Sequence, residues 1–497
     1  MKTKITGRWV IGYSDEQDSH LVYEDGVVVF EDDDIVHVGE EYDESVDREL
    51  SGEYLVIPGM VNMHAHVDAS NGVFQYDRQL DWNLYGVRPA EWVLDPDERP
   101  AFTAKDIEAW ARHSMAVMLL TGTTTFADLT SCVFKRWDDP IYEPHIYAET
   151  AGELGLRAYL SHRFRSAFQY AQGDGEIELL WDEERGERGF KRALRFADYY
   201  HGSYDDRIRT MLFPYTLDSV TEDLLRRAKE AADERGIQVR MHTAQSPFEV
   251  EQIRERHGMT PVEYLDSLGY LDENVCLTHC LYPDGKWRAD GVPDPDDETL
   301  ARIGEAGNTV ISCPLVYRRR GGVLNSFSRY REQGINMALG TDTFPQNIVE
   351  EMRWAALGTK LVTEDPGAGT ARELFDAVTL GGARAVNRSD IGRLAPGAKA
   401  DIVVVDLSGA HVRPTHDPLV SLVHYVTPAD IEHVFIDGEH LVQEGEIPGF
   451  DGAENLAGAQ RVHDKMGRLF TEWAGKDDPD EVFPPVYPVD SDFDRAR

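Results

Sequence analysis

Two histidines one residue apart, His64 and His66, follow a largely apolar segment, residues 60–63. In a strand, residues i and i+2 point to the same side, so both imidazoles can reach one ion. Other apolar segments of the chain also end in a residue that can bind a metal, namely His242, His279 and Asp342. If each of these residues ends its own strand, together they form a constellation suited to metal-assisted hydrolysis.

The predicted metal ligands are His64, His66, His242 and Asp342. Imidazole nitrogens suit zinc or iron, and a hydrolytic site keeps one position open for water. A divalent ion lowers the pKa of its bound water toward about 7 and so creates hydroxide at neutral pH. We expect Asp342 to take the proton and His279 to bind the substrate and polarise the carbon under attack. A role for His279 as a fifth ligand stays open.

The fourth candidate strand, residues 209–215, has no lysine near its end. A carbamylated lysine at that place could bridge two metal ions. We therefore expect one divalent ion, zinc rather than iron or manganese. The competing interpretation is that the histidines are polar residues at strand ends that only bind backbone carbonyls.

The elements that must position these residues are short apolar segments, which alternate with helix-like amphipathic segments from residue 58 to about 385. This alternation is typical of parallel strands joined by right-handed crossovers. It predicts an α/β fold with a closed (β/α)₈ TIM barrel, whose active site forms at the C-terminal ends of the strands. The eight candidate strands are 60–66, 122–128, 157–162, 209–215, 237–243, 275–279, 309–313 and 336–342.

Both ends of the chain carry short alternating strands with the turn signals Asp25–Gly26 and Asp437–Gly438. Because such hairpins are not stable alone, they predict one composite β-sandwich built from both termini. The predicted domains are residues 1–57 with 386–452 for the sandwich, 58–385 for the barrel, and 453–497 for a C-terminal helix and acidic tail.

The formal charge is −40, with 90 acidic against 50 basic residues. This composition is similar to that of halophilic proteins, which work in multimolar salt where the Debye length falls to about 3 Å. The charge argues against nucleic acid as a partner, although an acidic surface that attracts a basic partner stays open. No apolar run approaches the roughly 20 residues needed to span a bilayer, and the N-terminus lacks an apolar signal region. We expect a cytoplasmic protein with a small-molecule substrate and no membrane partner.

Several motifs together resemble the metal-dependent amidohydrolase superfamily, and within it the branch of cytosine and guanine deaminases, S-adenosylhomocysteine deaminase and triazine hydrolases. The resemblance covers the chain up to about residue 445. It implies a (β/α)₈ barrel with one metal ion, and hydrolysis of a C–N bond in a nitrogen-containing small molecule, such as a heterocycle, by deamination or by amine or amide release. Members commonly form dimers or larger homo-oligomers. The motifs are the segment 58–66, His242, His279, the segment 339–342 and the segment 391–406.

One position departs from that branch. Its fifth strand usually reads His-x-x-Glu, and the Glu carries protons between the metal-bound water and the leaving nitrogen, but this chain has Gln245 there. An amide cannot carry a proton. Either Asp342 with His279 performs all proton transfers, or Glu249 or another acid reaches the site, or ordinary deaminase activity is lost. The last case would make the chain a non-catalytic or altered-chemistry binding protein. Glu249 matches a second acidic position of the family, expected about one helical turn from the metal.

Substrate selection is expected from the long loop after the first strand, residues 68–100, which carries Trp82 among several aromatic residues. Such a loop can close over a flat ring and exclude water, or its aromatics can merely anchor it to the barrel. Arg163 and Arg165 follow the third strand and could clamp a carboxylate or phosphate, or pair with surface acids. The predicted substrate contacts are therefore His279, Gln245, Trp82, Arg163 and Arg165.

Overall fold

In a computed structural model of the chain, the described residues are 1–67, 88–89, 102–130, 142–171, 176–319, 322, 324, 326–473 and 476–487. The N-terminal part forms a mixed sheet rich in valine and isoleucine, in which buried and half-buried side chains alternate along the first half of the first strand. Its strands are β1 Lys2–Ser14, β2 Ser19–Glu24, β3 Val27–Glu31, β4 Asp34–Gly39 and β5 Arg48–Pro58.

All eight candidate strands of the central region are strands in the structure, with ends that differ by a few residues. The fourth candidate, 209–215, is split into two short strands, because it changes partners along its length: residues 208–210 pair with Ala158–Leu160, Leu212 bridges Val239, and residues 213–214 pair with Arg163–Phe164. The strands are β6 Met60–Ala65, β7 Arg88–Pro89, β8 Thr123–Asp128, β9 Arg157–Leu160, β10 Arg163–Phe164, β11 Ala167–Ala171, β12 Ile177–Trp181, β13 Ile208–Thr210, β14 Phe213–Pro214, β15 Val239–Thr243, β16 Val275–His279, β17 Thr309–Ser312 and β18 Asn336–Leu339.

Helices separate these strands, and each buries one apolar stripe. In Glu222–Arg235, for example, the leucines and alanines at helical spacing are buried, and the helix ends at Gly236 in the left-handed conformation. The helices are α1 Ala104–Leu120, α2 Glu143–Glu153, α3 Glu183–Tyr200, α4 Glu222–Arg235, α5 Pro247–His257, α6 Pro261–Ser267, α7 Asp297–Glu305, α8 Pro314–Arg318, α9 Phe327–Glu332, α10 Ile348–Thr363, α11 Ala371–Asp376, a π-helical turn Ala377–Gly381, α12 Gly382–Ala385, α13 Pro418–His424, a 3₁₀ turn Pro428–Asp430, α14 Gly452–Trp473 and α15 Pro479–Val482.

The C-terminal strands β19 Ile402–Asp406, β20 Ile431–Ile436 and β21 Glu439–Gln443 join the N-terminal strands in one sheet. Its order is β21-β20-β19-β5-β1-β3-β4, and β2 also pairs with β1. The antiparallel pairing of β19 with β5 places the two ends of the chain side by side. Among the described helices, none combines the length and apolar content that crossing a bilayer requires.

The central strands form two parallel four-stranded sheets, in the orders β13-β9-β8-β6 and β15-β16-β17-β18. Isolated bridges link the edges of the two sheets. On one side, Ala65 bridges Asp342 in parallel, and on the other, Leu212 bridges Val239 and Thr216 bridges His242. The C-terminal ends of strands from both sheets therefore meet at one place.

A buried ion pair connects this central region to the terminal sheet. Arg157, at the start of β9, is 1% exposed and donates two hydrogen bonds to Asp401 at 3.2 Å and one to Asp437 at 2.7 Å. A guanidinium that is removed from water must be paired in this way, since an unpaired charge in the interior is very costly.

Candidate metal centre

The structure brings together the five side chains that the sequence singles out for chemistry. The Nε2 atoms of His64 and His242 are 3.2 Å apart, Nε2 of His66 is 3.3 Å from Oδ1 of Asp342, and Nε2 of His279 is 3.5 Å from Oδ2 of Asp342. Each of the five residues is at most 6% exposed. They come from the ends of β6, β15 and β16 and from the turn after β18.

These distances fit a shared divalent ion. Ligand atoms placed about 2.0–2.1 Å from zinc in a tetrahedron are themselves separated by about 3.3 Å. Donor atoms of His64, His66 and His242 all lie within 4.8 Å of one another. Nitrogen and carboxylate donors of this kind are the usual ligands of zinc.

The protonation state of the histidines also suits metal binding. Burial lowers the pKa of His64 well below its usual value, and the neighbouring His242 lowers it further. Burial likewise lowers the pKa of His242 to about 3. Both rings are therefore neutral at physiological pH, which is the form that binds a metal.

The turns that follow three of the strands share an unusual backbone conformation. Ala244, Cys280 and Asp342 have positive φ values of 49°, 56° and 59°. Such values are uncommon outside glycine and need support from the surrounding structure. At Asp342 the support comes from β6, because its N–H donates to the carbonyl of His64 at 2.8 Å and its carbonyl accepts from the N–H of His66 at 2.6 Å.

A buried polar network stabilises the same junction between β6 and the turn after β18. Asn62 donates to Thr341 Oγ1 at 2.8 Å and accepts from the Thr341 N–H at 3.1 Å. Thr341 in turn bonds Gln346, whose side-chain amide donates to the carbonyl of His66 at 2.8 Å. The network ties the first strand to the last, one step outside the ligands. Sequence reasoning missed it, although a polar Asn inside an apolar strand was a usable signal.

Glu249 lies on α5 and is 2% exposed. Its carboxylate accepts hydrogen bonds from the N–H groups of Ala244 and Gln245 at 2.7 and 2.9 Å. Burial, together with the neighbouring carboxyl of Asp218, raises the pKa of Glu249 to about 8. Glu249 thus holds the turn after β15, from which the half-buried Gln245 projects.

Arg163 and Arg165 are 4% and 7% exposed, so the interpretation that they pair with acids at the surface is wrong. Their guanidinium carbons lie 4.9 and 5.3 Å from the ring centre of Tyr215, which also packs edge-on against His242 at 5.5 Å. Both cations are therefore close neighbours of the candidate metal site. Trp82 and the other aromatics of the predicted covering loop lie outside the described residues.

Two further residues at the site were not anticipated from the sequence. The thiol of Cys313 lies within 4.8 Å of donor atoms of both His64 and Asp342. Arg240, two residues before His242 on the same face of β15, has a guanidinium nitrogen 3.3 Å from Nδ1 of His64. A charged residue inside an otherwise apolar strand was the available signal for Arg240.

Comparison with known proteins places this site in a family. The model of the Amidohydrolase family matches residues 55–441, which include every ligand candidate. The chain belongs to this family. The resemblance inferred from its motifs is confirmed, and the amidohydrolase fold accounts for the position of the histidines at the strand ends.

Several relatives of this amidohydrolase have names that state an activity. A 5'-deoxyadenosine deaminase of Methanosarcina mazei is 31% identical over 450 residues, which cover 89% of this chain and 93% of the relative. A 5-methylthioadenosine/S-adenosylhomocysteine deaminase of Halobacterium salinarum is 32% identical over 456 residues, or 89% of this chain and 95% of the relative. Relatives from halophilic organisms are thus present, as the acidic composition predicted.

Solved structures show the same fold. An adenosine deaminase from Xanthomonas campestris with bound zinc has a TM-score of 0.74 at 22% identity and covers 93% of this chain and 98% of its own. A mutant of atrazine chlorohydrolase from Arthrobacter aurescens, complexed with zinc and atraton, has a TM-score of 0.76 at 23% identity and covers 93% of this chain and all of its own. These relatives are α/β TIM-barrel enzymes. The protein is a metal-dependent hydrolase of carbon–nitrogen bonds other than peptide bonds.

Proposed function

We propose that the protein is a mononuclear zinc hydrolase that removes an amino group from a heterocyclic small molecule, with the adenine ring of a nucleoside as the first candidate. The observation that carries the proposal is the convergence of three histidines and Asp342 at buried strand ends. The named relatives support the substrate class, since they are deaminases of 5'-deoxyadenosine and of methylthioadenosine or S-adenosylhomocysteine.

His64, His66, His242 and Asp342 would hold the ion. When bound, a zinc ion supplies a Lewis acid and lowers the pKa of a water molecule toward about 7. Asp342 has its second oxygen 3.5 Å from Nε2 of His279, so the two side chains can pass a proton between them with little movement. We therefore assign the proton transfers to this pair, and to His279 also the hydrogen bond to the substrate.

Gln245 takes a binding role in this proposal. Its backbone is held by Glu249, and its side chain carries an amide that can donate to and accept from a heterocycle but cannot carry a proton. The named relatives are enzymes, which supports a catalytic protein over the alternative of a non-catalytic binding protein.

Arg163 and Arg165 are proposed to bind an anionic group of the substrate, a carboxylate or phosphate. Two observations support this role: both side chains are buried, and both contact Tyr215, which places two positive charges beside His242. Charge-assisted bidentate bonds from such groups are strong and directional. Trp82 keeps its proposed role in covering the ring.

For the architecture, we propose a closed (β/α)₈ barrel of residues 58–385 and a composite β-sandwich of residues 1–57 with 386–452. The C-terminal helix and acidic tail take residues 453–497. The bridges at both seams of the two parallel sheets support closure of the barrel. The single sheet that both chain ends build supports a composite terminal domain.

We also propose a cytoplasmic homo-oligomer, a dimer or larger. An apolar stripe on α10 supports self-association, because Trp354, Leu357 and Leu361 lie three and four residues apart and are 36%, 43% and 79% exposed. Light scattering at high salt would test this proposal, and a monomer at all concentrations would refute it.

The decisive experiment is an ammonia-release assay over adenine nucleosides, pterins, pyrimidines and triazines, run at high salt. We expect release by the zinc-loaded wild type, and a loss of at least a thousandfold for His64→Ala and Asp342→Asn. The matched control is His416→Ala, an exposed histidine outside the site, which should keep wild-type activity. Full activity after complete metal removal would refute the proposed mechanism.

Gln245→Glu tests separately whether proton transfer requires a carboxylate at position 245. If Asp342 and His279 carry the protons, the added carboxylate is not required, and the wild type already deaminates its substrate. If the wild type is inactive on the whole panel and Gln245→Glu creates activity, then the amide blocks catalysis and the binding-protein alternative is supported.

A further inference from the structure

Arg240 is a fully buried cation in the layer beneath the candidate metal site. It is 1% exposed, and it shares one face of β15 with His242 because the two residues are two positions apart. Its nearest aromatic neighbour is Phe213, whose ring centre lies 5.1 Å from the guanidinium carbon. Burial lowers the pKa of Arg240 to about 10, so it still carries its charge at neutral pH.

All hydrogen bonds of the Arg240 guanidinium to the described residues come from one nitrogen, Nη1. Nη1 donates to the carbonyl of Met63 at 2.7 Å and to the carbonyl of Ala127 at 2.9 Å, and it lies 3.3 Å from Nδ1 of His64. Within the described part of the chain, Nε and Nη2 have no hydrogen-bond partner. The hydrogen bonds of this buried arginine hold backbone carbonyls, while the nearby carboxylates of Asp128 and Asp342 favour its charge.

The held carbonyls belong to a bulge in the pairing of β6 with β8. Asn62 pairs with Phe126 and Ala65 pairs with Asp128, so the two residues between Asn62 and Ala65 face a single residue, Ala127. Those two residues are Met63 and His64. Bulges interrupt the ladder and change the direction of side chains, and they commonly do so beside active sites.

We infer that Arg240 is a positioning residue, which fixes this bulge across β6 and β8 and thereby aims the ring of His64 at the metal. The guanidinium bridges the two strands at the place where their own ladder is irregular. Without this bridge, Met63 and His64 can slide into the ordinary alternation, and the imidazole would turn away from His242. The inference rests on the proposed role of His64 as a metal ligand.

The charge of Arg240 and its positioning role have opposite effects on metal affinity. A cation this close to His64 repels a divalent ion, so removal of the charge alone would tighten metal binding. Loss of the bridge would weaken it, typically by ten- to a hundredfold for residues that orient ligands. Two substitutions separate these effects. Arg240→Met removes both the charge and the bridge. Arg240→Lys keeps the charge, but its side chain ends one atom short of Nη1, so the ammonium cannot span the carbonyls of Met63 and Ala127 as Nη1 does.

The test is zinc affinity, measured by chelator competition on the full chain at high salt, together with the visible absorption spectrum of the cobalt-substituted protein. We expect Arg240→Lys and Arg240→Met each to bind zinc at least tenfold more weakly, with an altered cobalt spectrum. The matched control is Arg157→Lys, at the other fully buried arginine, whose bonds are to Asp401 and Asp437. This control should lose stability but keep the zinc affinity and the cobalt spectrum of the wild type.

Unchanged or tighter zinc binding by Arg240→Lys, with the wild-type cobalt spectrum, would overturn the inference and leave Arg240 a purely structural residue. Arg240→Lys retains the charge and most of the volume, so it decides the matter even if Arg240→Met does not fold. Failure of the proposed function looks different: the wild type itself would bind no zinc, or His64→Ala would bind zinc as tightly as the wild type.

Discussion

The hydrogen bonds from the turn after β15 to the Glu249 carboxylate lead to a prediction about how the stability of the fold depends on pH. Its carboxylate is fully buried, accepts two backbone hydrogen bonds, and has a pKa that burial raises to about 8. The same side chain in the unfolded chain has a pKa of about 4.3. Between these two values, the folded protein holds a proton that the unfolded chain releases.

The direction of the pH dependence follows from this proton difference. As the pH rises from about 4.5 to 8, the unfolded chain gains stability by releasing a proton that the folded protein keeps. The contribution of Glu249 to the free energy of unfolding therefore falls over this range. The slope reaches about 1.4 kcal/mol per pH unit within the window. Glu249→Gln cannot titrate. The free energy of unfolding of the wild type, relative to that of the variant, should therefore fall by up to about 2.7 kcal/mol between pH 5 and pH 7.

The variant also carries a constant penalty. Its amide can accept only one of the two backbone N–H groups and points a donor at the other, which costs about 1–3 kcal/mol. At pH 5 the wild type should be the more stable protein, and the difference should shrink or reverse by pH 7. Denaturant unfolding of both proteins at several pH values, in high salt, measures this difference. Glu251→Gln, an exposed position on the same helix, is the matched control and should follow the wild type at every pH.

A flat difference between wild type and Glu249→Gln across this range would refute the reasoning. It would mean that the two N–H donors at 2.7 and 2.9 Å outweigh burial and keep the carboxylate ionised in the fold. A difference that grows with pH would refute it equally, because it would require a folded-state pKa below that of the unfolded chain.

Three further predictions concern other parts of the molecule. Arg157→Met should reduce the free energy of unfolding by about 3–5 kcal/mol, because it leaves the buried carboxylate of Asp401 without its cation; denaturant unfolding measures this, and a loss under 1 kcal/mol would contradict it. Asn62→Ala should weaken zinc binding about ten- to a hundredfold in chelator competition, because it removes the tether between the first and last strands; an unchanged affinity would show that the network does not position the ligands. Lowering the salt from multimolar to about 0.1 M should unfold the protein, as followed by circular dichroism, because a net charge of −40 is then poorly screened; a native spectrum at low salt would contradict this expectation.

The sequence alone identified the five side chains that converge at the site, and it did so through local patterns. Apolar segments that end in His64, His242, His279 and Asp342 mark the C-terminal ends of parallel strands, and the topology of such sheets brings these ends to one edge. All eight candidate strands exist, with boundary shifts and one interruption at residues 211–212. Composition likewise predicted relatives from halophiles, because surface charge is a property of the whole chain rather than of any contact.

Tertiary structure alone decided how those side chains are held. Arg240 and His64 are 176 residues apart in the chain, and Asn62 and Thr341 are 279 apart, so no local periodicity records either contact. Arg163 and Arg165 allowed two interpretations from the sequence, a clamp for an anion or pairing with surface acids, and only the fold shows that both side chains are buried. Periodicity reports which face of an element is apolar. It does not report which distant group will lie against a polar residue on that face, and at this site those distant partners contact the strand that carries His64.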